Sequence, residues 1–425
     1  MDRTARATAV SSPLDVWYCE QRVGEIRATN GGDFSFEYHP DWLANRDAFP
    51  VSVRLPLRVA AWTGAEAAAW FGNLLPEGTA REAVCGRLGL SVGNDIDLLA
   101  AIGGECAGAL RVVPKDVPRG ADLEDTFEEL TPRQLASLLE GGSAPLLVGG
   151  PLVRLSLAGA QNKLPVCLVG GNVALPTGST ASTHLLKLPH ARFAHLPMNE
   201  AYVMGLAARI GLNVAKVEVY LGTSPPSLLV ERYDRRVTEG ERVARLHQED
   251  FCQATGRPAA RKYQQEGGPS LAECAELLAR HTSRPLLELR RLVEWQAFNV
   301  AVGNSDGHGK NLSLLFDGVG VRLAPFYDLL STRHYQALDR ALAMAVGPRR
   351  DADTLSRQHW EAFAEDASLG RKLVRDTVRS VIERVAEAQP SWAAEFAGRH
   401  GRHPILQTLP RWIEKNVRAT ARRLA

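Results

Sequence analysis

Gly303-Asn304-Ser305-Asp306-Gly307-His308-Gly309-Lys310-Asn311 is a run of glycine, amide and acidic residues set between an apolar stretch and a β-rich one. A strand follows, then an Asp317-Gly318 turn, a second strand, and Pro325-Phe326-Tyr327-Asp328. Gly, Asn and Asp collect in loops for conformational reasons alone, so turn formation by itself would account for Asp306 and Asn311. The hairpin adds something that turn chemistry does not. It takes the chain away and back, so that a second carboxylate, Asp328, returns to the neighbourhood of Asn311. A P-loop is excluded: residue 304 is Asn where Gly is required, and Asn311 stands where Ser or Thr is required. Upstream, Pro285 to Val302 reads as a long helix burying Leu289, Leu292, Val293 and Phe298, with Gly303 as its stop.

An Asp followed five positions later by an Asn is the spacing of the catalytic loop of protein kinases. There the Asp accepts the proton of the attacking hydroxyl, the Asn ligates Mg²⁺, and a later Asp beyond a hairpin shares that metal. Such residue types suit phosphoryl transfer, which is mostly charge neutralisation and positioning: hard oxygen ligands hold the cation, and one carboxylate stays free for the nucleophile. Working back from this stretch, Thr183 to Pro189 reads as a strand in which Lys187 is flanked by aliphatics. Burying an ammonium requires a partner. Thirteen residues on, Asn199-Glu200 is read as the opening of an amphipathic helix with Val203, Leu206, Ala207 and Ile210 inward, the chain order of a kinase strand Lys and helix Glu. Earlier still, Ala158-Gly159-Ala160-Gln161-Asn162-Lys163 joins two strands through small residues that let backbone N–H groups approach phosphates, and Gly170-Gly171 marks a hairpin turn. Glu231-Arg232-Tyr233, after the strands Val217–Leu221 and Leu228–Val230, lies where a connector between two lobes would pass an adenine.

The remainder supports a two-lobed, α+β, protein-kinase-like fold preceded by a smaller module. Residues 1–115 read as an N-terminal α+β subdomain, with strands up to Val51–Leu55 and a helix begun by a capping box at Thr63–Glu66. Residues 115–129 read as a linker, 130–235 as a β-rich lobe, and 236–425 as a helical lobe. In the last of these, Arg257 to Gly268 reads as a mobile loop, Ser270–Glu273 as a capping box, and Arg371 to Ala388 and Pro410 to Leu424 as helices. Arg411, Lys415, Arg418 and Arg422 form a solvated basic face. With 425 residues, 45% hydrophobic, 23% charged and a formal net charge of +2, the composition gives no electrostatic case for direct DNA or membrane binding. Six cysteines without a C-x-x-C pair argue against a zinc site or disulfide framework. Met1 to Pro13 is polar and no apolar run approaches membrane length, so a cytoplasmic protein is expected.

The chain resembles the HipA family of bacterial serine/threonine kinases, the toxins of HipBA-type toxin–antitoxin modules. Arg154 to Lys163, Thr183 to Pro189, Val230 to Arg236, Gln248-Glu249-Asp250, Asp306 to Asn311 and Pro325 to Asp328 carry the likeness, and Asn73-Leu74-Leu75-Pro76 with Gly108-Ala109 resemble that family's N-terminal domain. The resemblance implies Asp306 as catalytic base, Asn311 and Asp328 as Mg²⁺ ligands, and Lys187 on an ATP phosphate. It further implies Ala158, Gly159, Ala160, Gln161, Asn162 and Lys163 as the phosphate loop, and Glu231, Arg232 and Tyr233 as the adenine connector. His308, Gly309, Lys310 and Tyr327 complete the nucleotide site on that view, and Ser156 is the self-phosphorylated serine. Phosphate there adds negative charge beside the ATP cradle, and repulsion switches the kinase off. The chain departs from the family pattern at Asn162, where an acidic residue is expected, and at Gly309, where alanine is expected and glycine should loosen the loop.

What the resemblance implies of partners is an aminoacyl-tRNA synthetase as substrate and a HipB-like DNA-binding antitoxin through which DNA is reached only indirectly. Two other readings share the motifs. A small-molecule or lipid kinase would use the same lobes, and a non-catalytic co-repressor would bridge antitoxin dimers.

Overall fold

The computed structural model describes residues 12–29, 34–115, 126–131, 133–136, 163–177, 180–190, 192–238 and 243–425. The loop Ala158 to Asn162, the strand expected before it, and Ser156 lie outside them.

Three apolar cores organise the described chain. The first belongs to a five-stranded antiparallel sheet in which Leu14–Tyr18 lies between Gln21–Ala28 and Leu110–Pro114, with Phe34–Tyr38 and Trp62–Thr63 continuing beyond Gln21–Ala28. Alternating residues such as Phe34, Phe36 and Tyr38 point to one face, where Trp42, Trp70 and Phe71 from short helices cover them. The helix Ala65–Gly72 starts from Gly64 with no side-chain cap, which corrects the capping box expected at Thr63. Gly64 has φ 72°, a conformation that a Thr cap would not occupy easily.

The second core backs a six-stranded sheet, ordered Val217–Tyr220, Ser227–Glu231, His184–Lys187, Lys163–Val169, Asn172–Thr177 and Thr126–Glu129. Gly170 and Gly171 turn the hairpin as expected, both with positive φ. Thr126–Glu129, expected in the linker, instead pairs with Asn172–Thr177 as an edge strand. Lys163 and Lys187 stand opposite one another in the register of neighbouring strands.

The largest core runs from the helix Leu196–Arg209 into the second half, joining Tyr202 to Trp295, Phe298, Phe326 and Trp392. The helix Pro285–Val302 has the bounds expected, and Gly303 ends it with φ 69°. A Cβ at Gly303 would lie 2.4 Å from the Trp412 ring, so conformation and packing both demand glycine there. Two helices are longer than the sequence suggests. Arg371–His400 continues through Pro390, and Pro404–Leu424 begins six residues before Pro410. Arg411, Lys415, Arg418 and Arg422 are exposed on the last of these, as expected of a solvated face. Among the described residues no helix is long and apolar enough to cross a membrane.

The N-terminal unit is clamped to the rest of the chain by buried polar contacts. Glu249, in the strand His247–Asp250, accepts from Ser52 Oγ at 2.5 Å, Val53 N at 2.9 Å and Trp70 Nε1 at 3.2 Å. A second clamp is ionic: Glu105 takes Arg232 and Arg235, each at 2.9 Å, and also Arg245, while Asp234 takes Arg232 at 2.7 Å and the Gly108 N–H. Buried pairs of this kind return little net stability after desolvation, but they fix one unit's register on the other.

Candidate active site

A cleft of about 560 Å³ opens where the three units meet. That volume is in the ordinary range for a small-molecule site. Its walls carry Lys163 and Lys187 from the middle sheet, Asp306 and Asp328 from the second half, and Asn73 and Glu77 from the N-terminal unit.

Lys187 is the hub. Its ammonium donates to Glu200 Oε1 and to Asp328 Oδ1, both at 2.6 Å. Glu200 lies in the first turns of a helix that starts at Leu196, three residues before the expected opening at Asn199. The neighbouring Asn199 exchanges hydrogen bonds with the Ser331 backbone (2.8 and 2.9 Å), which ties this helix to the segment after Asp328. Burial opposes the charge on Lys187, but Asp328 and Glu200 override it and raise its pKa. Burial would likewise raise Asp328; the Lys187 ammonium reverses this and holds that carboxyl down at about 2. Burial, aided by the Lys187 charge, pulls Lys163 down to about 8, against the opposing charges of Asp328 and Glu77.

Asp328 has φ 57°, a left-handed conformation uncommon outside glycine and typical of functional turns. It holds a second bond, from Asn311 Nδ2 to its Oδ2 at 3.1 Å. Asn311 Oδ1 is buried without a hydrogen-bond partner among the described residues. A free amide oxygen beside a carboxylate is an all-oxygen donor set that suits a hard divalent cation. Among the described residues there is no group of three or more His, Cys, Asp or Glu side chains able to hold a metal unaided. Two protein ligands completed by phosphate oxygens and water is the usual arrangement for magnesium at nucleotides.

Asp306 faces the same space. Burial pushes its carboxyl up to about 6, against a hydrogen bond from the Tyr263 phenol at 2.5 Å. His308 packs edge-on to the Tyr263 ring at 5.1 Å, and burial, with the Lys262 charge, pulls its imidazole down to about 3, so it is neutral. Lys310 sits beneath, donating to Asp250 Oδ2 at 2.9 Å and to Asn73 Oδ1 and O at 2.7 and 3.1 Å. Tyr327 donates to Lys310 O at 2.7 Å and stacks with Tyr233 at 5.6 Å, giving the cleft an aromatic wall.

Three expectations need adjusting. The Arg232 side chain is consumed by the ionic clamp, and the N–H groups of Glu231 and Arg232 already donate to Lys216 and Thr183. Reading of an adenine edge is thereby narrowed to other groups of that connector. Gly309 does not loosen the loop: a Cβ there would lie 2.5 Å from Pro269 and 2.9 Å from Cys252 Sγ, so glycine allows close packing. Arg257 to Gly268 is built of two short 3₁₀ turns, Ala259–Arg261 and Gln264–Glu266, and it supplies Lys262 and Tyr263 to the cleft. Nothing in the local pattern of that segment signalled this. Asn73 and Glu77 were equally silent as site residues, whereas Asp250, three residues before Gln253, carried a visible capping-box signal that the structure contains.

Comparison with known proteins identifies the family. Residues 14–113 match the HipA N-terminal domain, and 155–393 match the HipA-like C-terminal domain. The chain belongs to the HipA family. A putative kinase, Y4mE, of Sinorhizobium fredii is 42% identical over 88% of this chain and 90% of its own length. The serine/threonine-protein kinase toxin HipA of Shewanella oneidensis is 31% identical over 90% of this chain and 89% of its own. Among solved structures, HipA in the Shewanella oneidensis complex of HipA, HipB and operator DNA superposes with a TM-score of 0.83, at 28% identity and 97% coverage of both chains. This member of the HipA family is a serine/threonine protein kinase with the mixed α/β architecture of its relatives.

Proposed function

We propose that this chain is the toxin kinase of a toxin–antitoxin pair, which transfers the γ-phosphate of Mg²⁺–ATP to a protein serine. The observation that carries the reading is the continuous run of contacts Glu200–Lys187–Asp328–Asn311, with Asp306 beside it in one cleft. Lys187 and Lys163 present positive charge to the phosphates, and the segment Ala158 to Asn162 would cap them. Asn311 Oδ1 and the Asp328 carboxylate would hold magnesium, which would supply neutralisation of the charge that builds on the phosphates. Tyr233 and Tyr327 offer a flat apolar surface to a base. Asp306 orients the acceptor hydroxyl and takes its proton, and its raised pKa keeps it an effective base near neutrality.

The finer assignments rest on family likeness. The acceptor is an aminoacyl-tRNA synthetase, phosphorylation of Ser156 silences the enzyme, and a HipB-like antitoxin holds it and carries the operator contact. The solved HipA relative with HipB and operator DNA supports the last point, and a net charge of +2 suits a protein that leaves DNA to its partner.

The test is phosphoproteomics of cells expressing this chain against an Asp306→Asn control, with purified protein and γ-labelled ATP alongside. Label should enter a protein serine, and Asp306→Asn should slow transfer about 10²–10⁴-fold. Label in a small metabolite, or full growth arrest by Asp306→Asn, contradicts the reading. Ser156→Ala should abolish self-labelling; phosphate mapped to another residue overturns that assignment.

A further inference from the structure

The carboxylate of Asp306 is held from one side only. Its backbone is fixed, the N–H donating to Asn304 Oδ1 at 3.0 Å and the carbonyl accepting from His308 N at 2.9 Å. Its side chain, however, has one hydrogen bond among the described residues, from the Tyr263 phenol to Oδ1 at 2.5 Å. A carboxylate bound at one oxygen cannot swing about its Cβ–Cγ bond without losing that bond. The second oxygen is then aimed, and it is the one left for an acceptor hydroxyl.

Tyr263 is itself placed by contacts that reach across the molecule. The preceding Lys262 ion-pairs with Glu77 Oε2 of the N-terminal unit at 2.9 Å, both side chains being largely buried, and the Lys262 carbonyl accepts from Gly309 N of the catalytic loop at 3.1 Å. On the other side, Gln264 Oε1 accepts from Ala345 N at 2.7 Å. The segment is thus pinned to the N-terminal unit, the catalytic loop and the strand Ala341–Val346.

We propose that Tyr263 is a positioning residue for the proton-accepting Asp306, and that Glu77 holds it in place through Lys262. The N-terminal unit then sets the geometry of the catalytic base rather than merely resting against the lobes. Burial, with the Asp306 charge beside it, raises the Tyr263 phenol far above its ordinary pKa, so it stays a donor at any working pH. Its proton is not transferred; the hydroxyl's proton goes to Asp306, the phosphoryl group goes to the hydroxyl oxygen, and the bridging P–O bond to the β-phosphate breaks as ADP leaves.

This rests on Asp306 being the base, and the experiment separates the two ideas. Full-length wild type, Tyr263→Phe, Glu77→Gln and Asp306→Asn are compared for label incorporated from γ-labelled Mg²⁺–ATP into total bacterial protein, with ATP varied. Tyr263→Phe keeps the ring against His308 and removes one oxygen. It should lower the maximal rate about tenfold to a hundredfold, the worth of a hydrogen bond to a charged group, with KM for ATP within about twofold. Glu77→Gln, which keeps shape and removes charge, should lower the rate in the same direction by a smaller factor, again without moving KM. A wild-type rate in both variants, or a KM for ATP that rises as far as the rate falls, overturns the proposal. Transfer surviving in Asp306→Asn would sink the base assignment instead; an inactive Asp306→Asn beside fully active Tyr263→Phe and Glu77→Gln would sink this inference alone.

Discussion

The Lys187 ammonium donates to Asp328 Oδ1 at 2.6 Å across 141 residues of chain. The contact joins a strand of the middle sheet to the segment beyond the second-half hairpin, and it makes one lysine serve two carboxylates, since Glu200 is bound at the same distance. A buried ammonium with two acidic partners is charged at every working pH, and it fixes the spacing between the lobes.

Lys187→Met therefore has two expected effects. Phosphoryl transfer should fall at least about a hundredfold, because the charge proposed to meet the phosphates is lost. Stability should fall by about 3 kcal/mol, the lower end for breaking a buried pair, since burial already raises the Glu200 carboxyl and lets it protonate when its cation is gone. Urea unfolding and initial rates measure the two separately.

With Asp306 as the proposed base, the pH dependence follows from its carboxyl. Burial raises its carboxyl to about 6, and the groups around it are Tyr263, Asp328, Lys262 and Glu77. A base acts only when deprotonated, so kcat/KM should be flat above about pH 7 and fall tenfold per unit as pH drops below about 6. A profile of initial rates from pH 5 to 8 checks this; an acidic limb centred near pH 4 would show that burial does not govern the group.

Asn73→Ala should weaken the site from the N-terminal unit. The Asn73 side chain accepts from Lys310 at 2.7 Å and donates to Ala69 O and Arg257 O at 2.7 and 2.8 Å, all buried or partly so. Removing it leaves part of the Lys310 charge unpaired beside Asn311, at a cost of about 1–3 kcal/mol. Thermal melting should show the loss, and the transfer rate should drop with it.

Gly309→Ala tests the packing of the loop from Gly303 to Asn311. The new methyl would sit 2.5 Å from Pro269 Cγ and 2.9 Å from Cys252 Sγ. Overpacking of this size costs about 1–3 kcal/mol and displaces the loop that carries Asp306 and Asn311. Lower melting temperature together with slower transfer is expected; a variant as stable and active as wild type would show that Pro269 yields freely.

Much of the fold was legible because its signals are local. Pro285 and Gly303 bound a helix by restricting their own backbones, Gly170-Gly171 turns a hairpin, and Ser270 caps a helix three residues before Glu273. Where a local signal met tertiary packing, packing prevailed: Pro390 and Pro410 lie inside helices, and Gly64 rather than Thr63 caps one.

By itself the sequence determined the order of the chemistry: a strand lysine, a helix glutamate, an aspartate with an asparagine five residues on, and an aspartate past a hairpin. Each is set by spacing along one or two adjacent elements, and spacing is written in the chain. Tertiary structure alone decided that Lys187 bridges to Asp328, that Tyr263 grips Asp306, and that Asn73 and Glu77 reach in from another unit. Those partners are far apart along the chain, and the burial that makes their hydrogen bonds and charges matter exists only once the three cores have closed around the cleft.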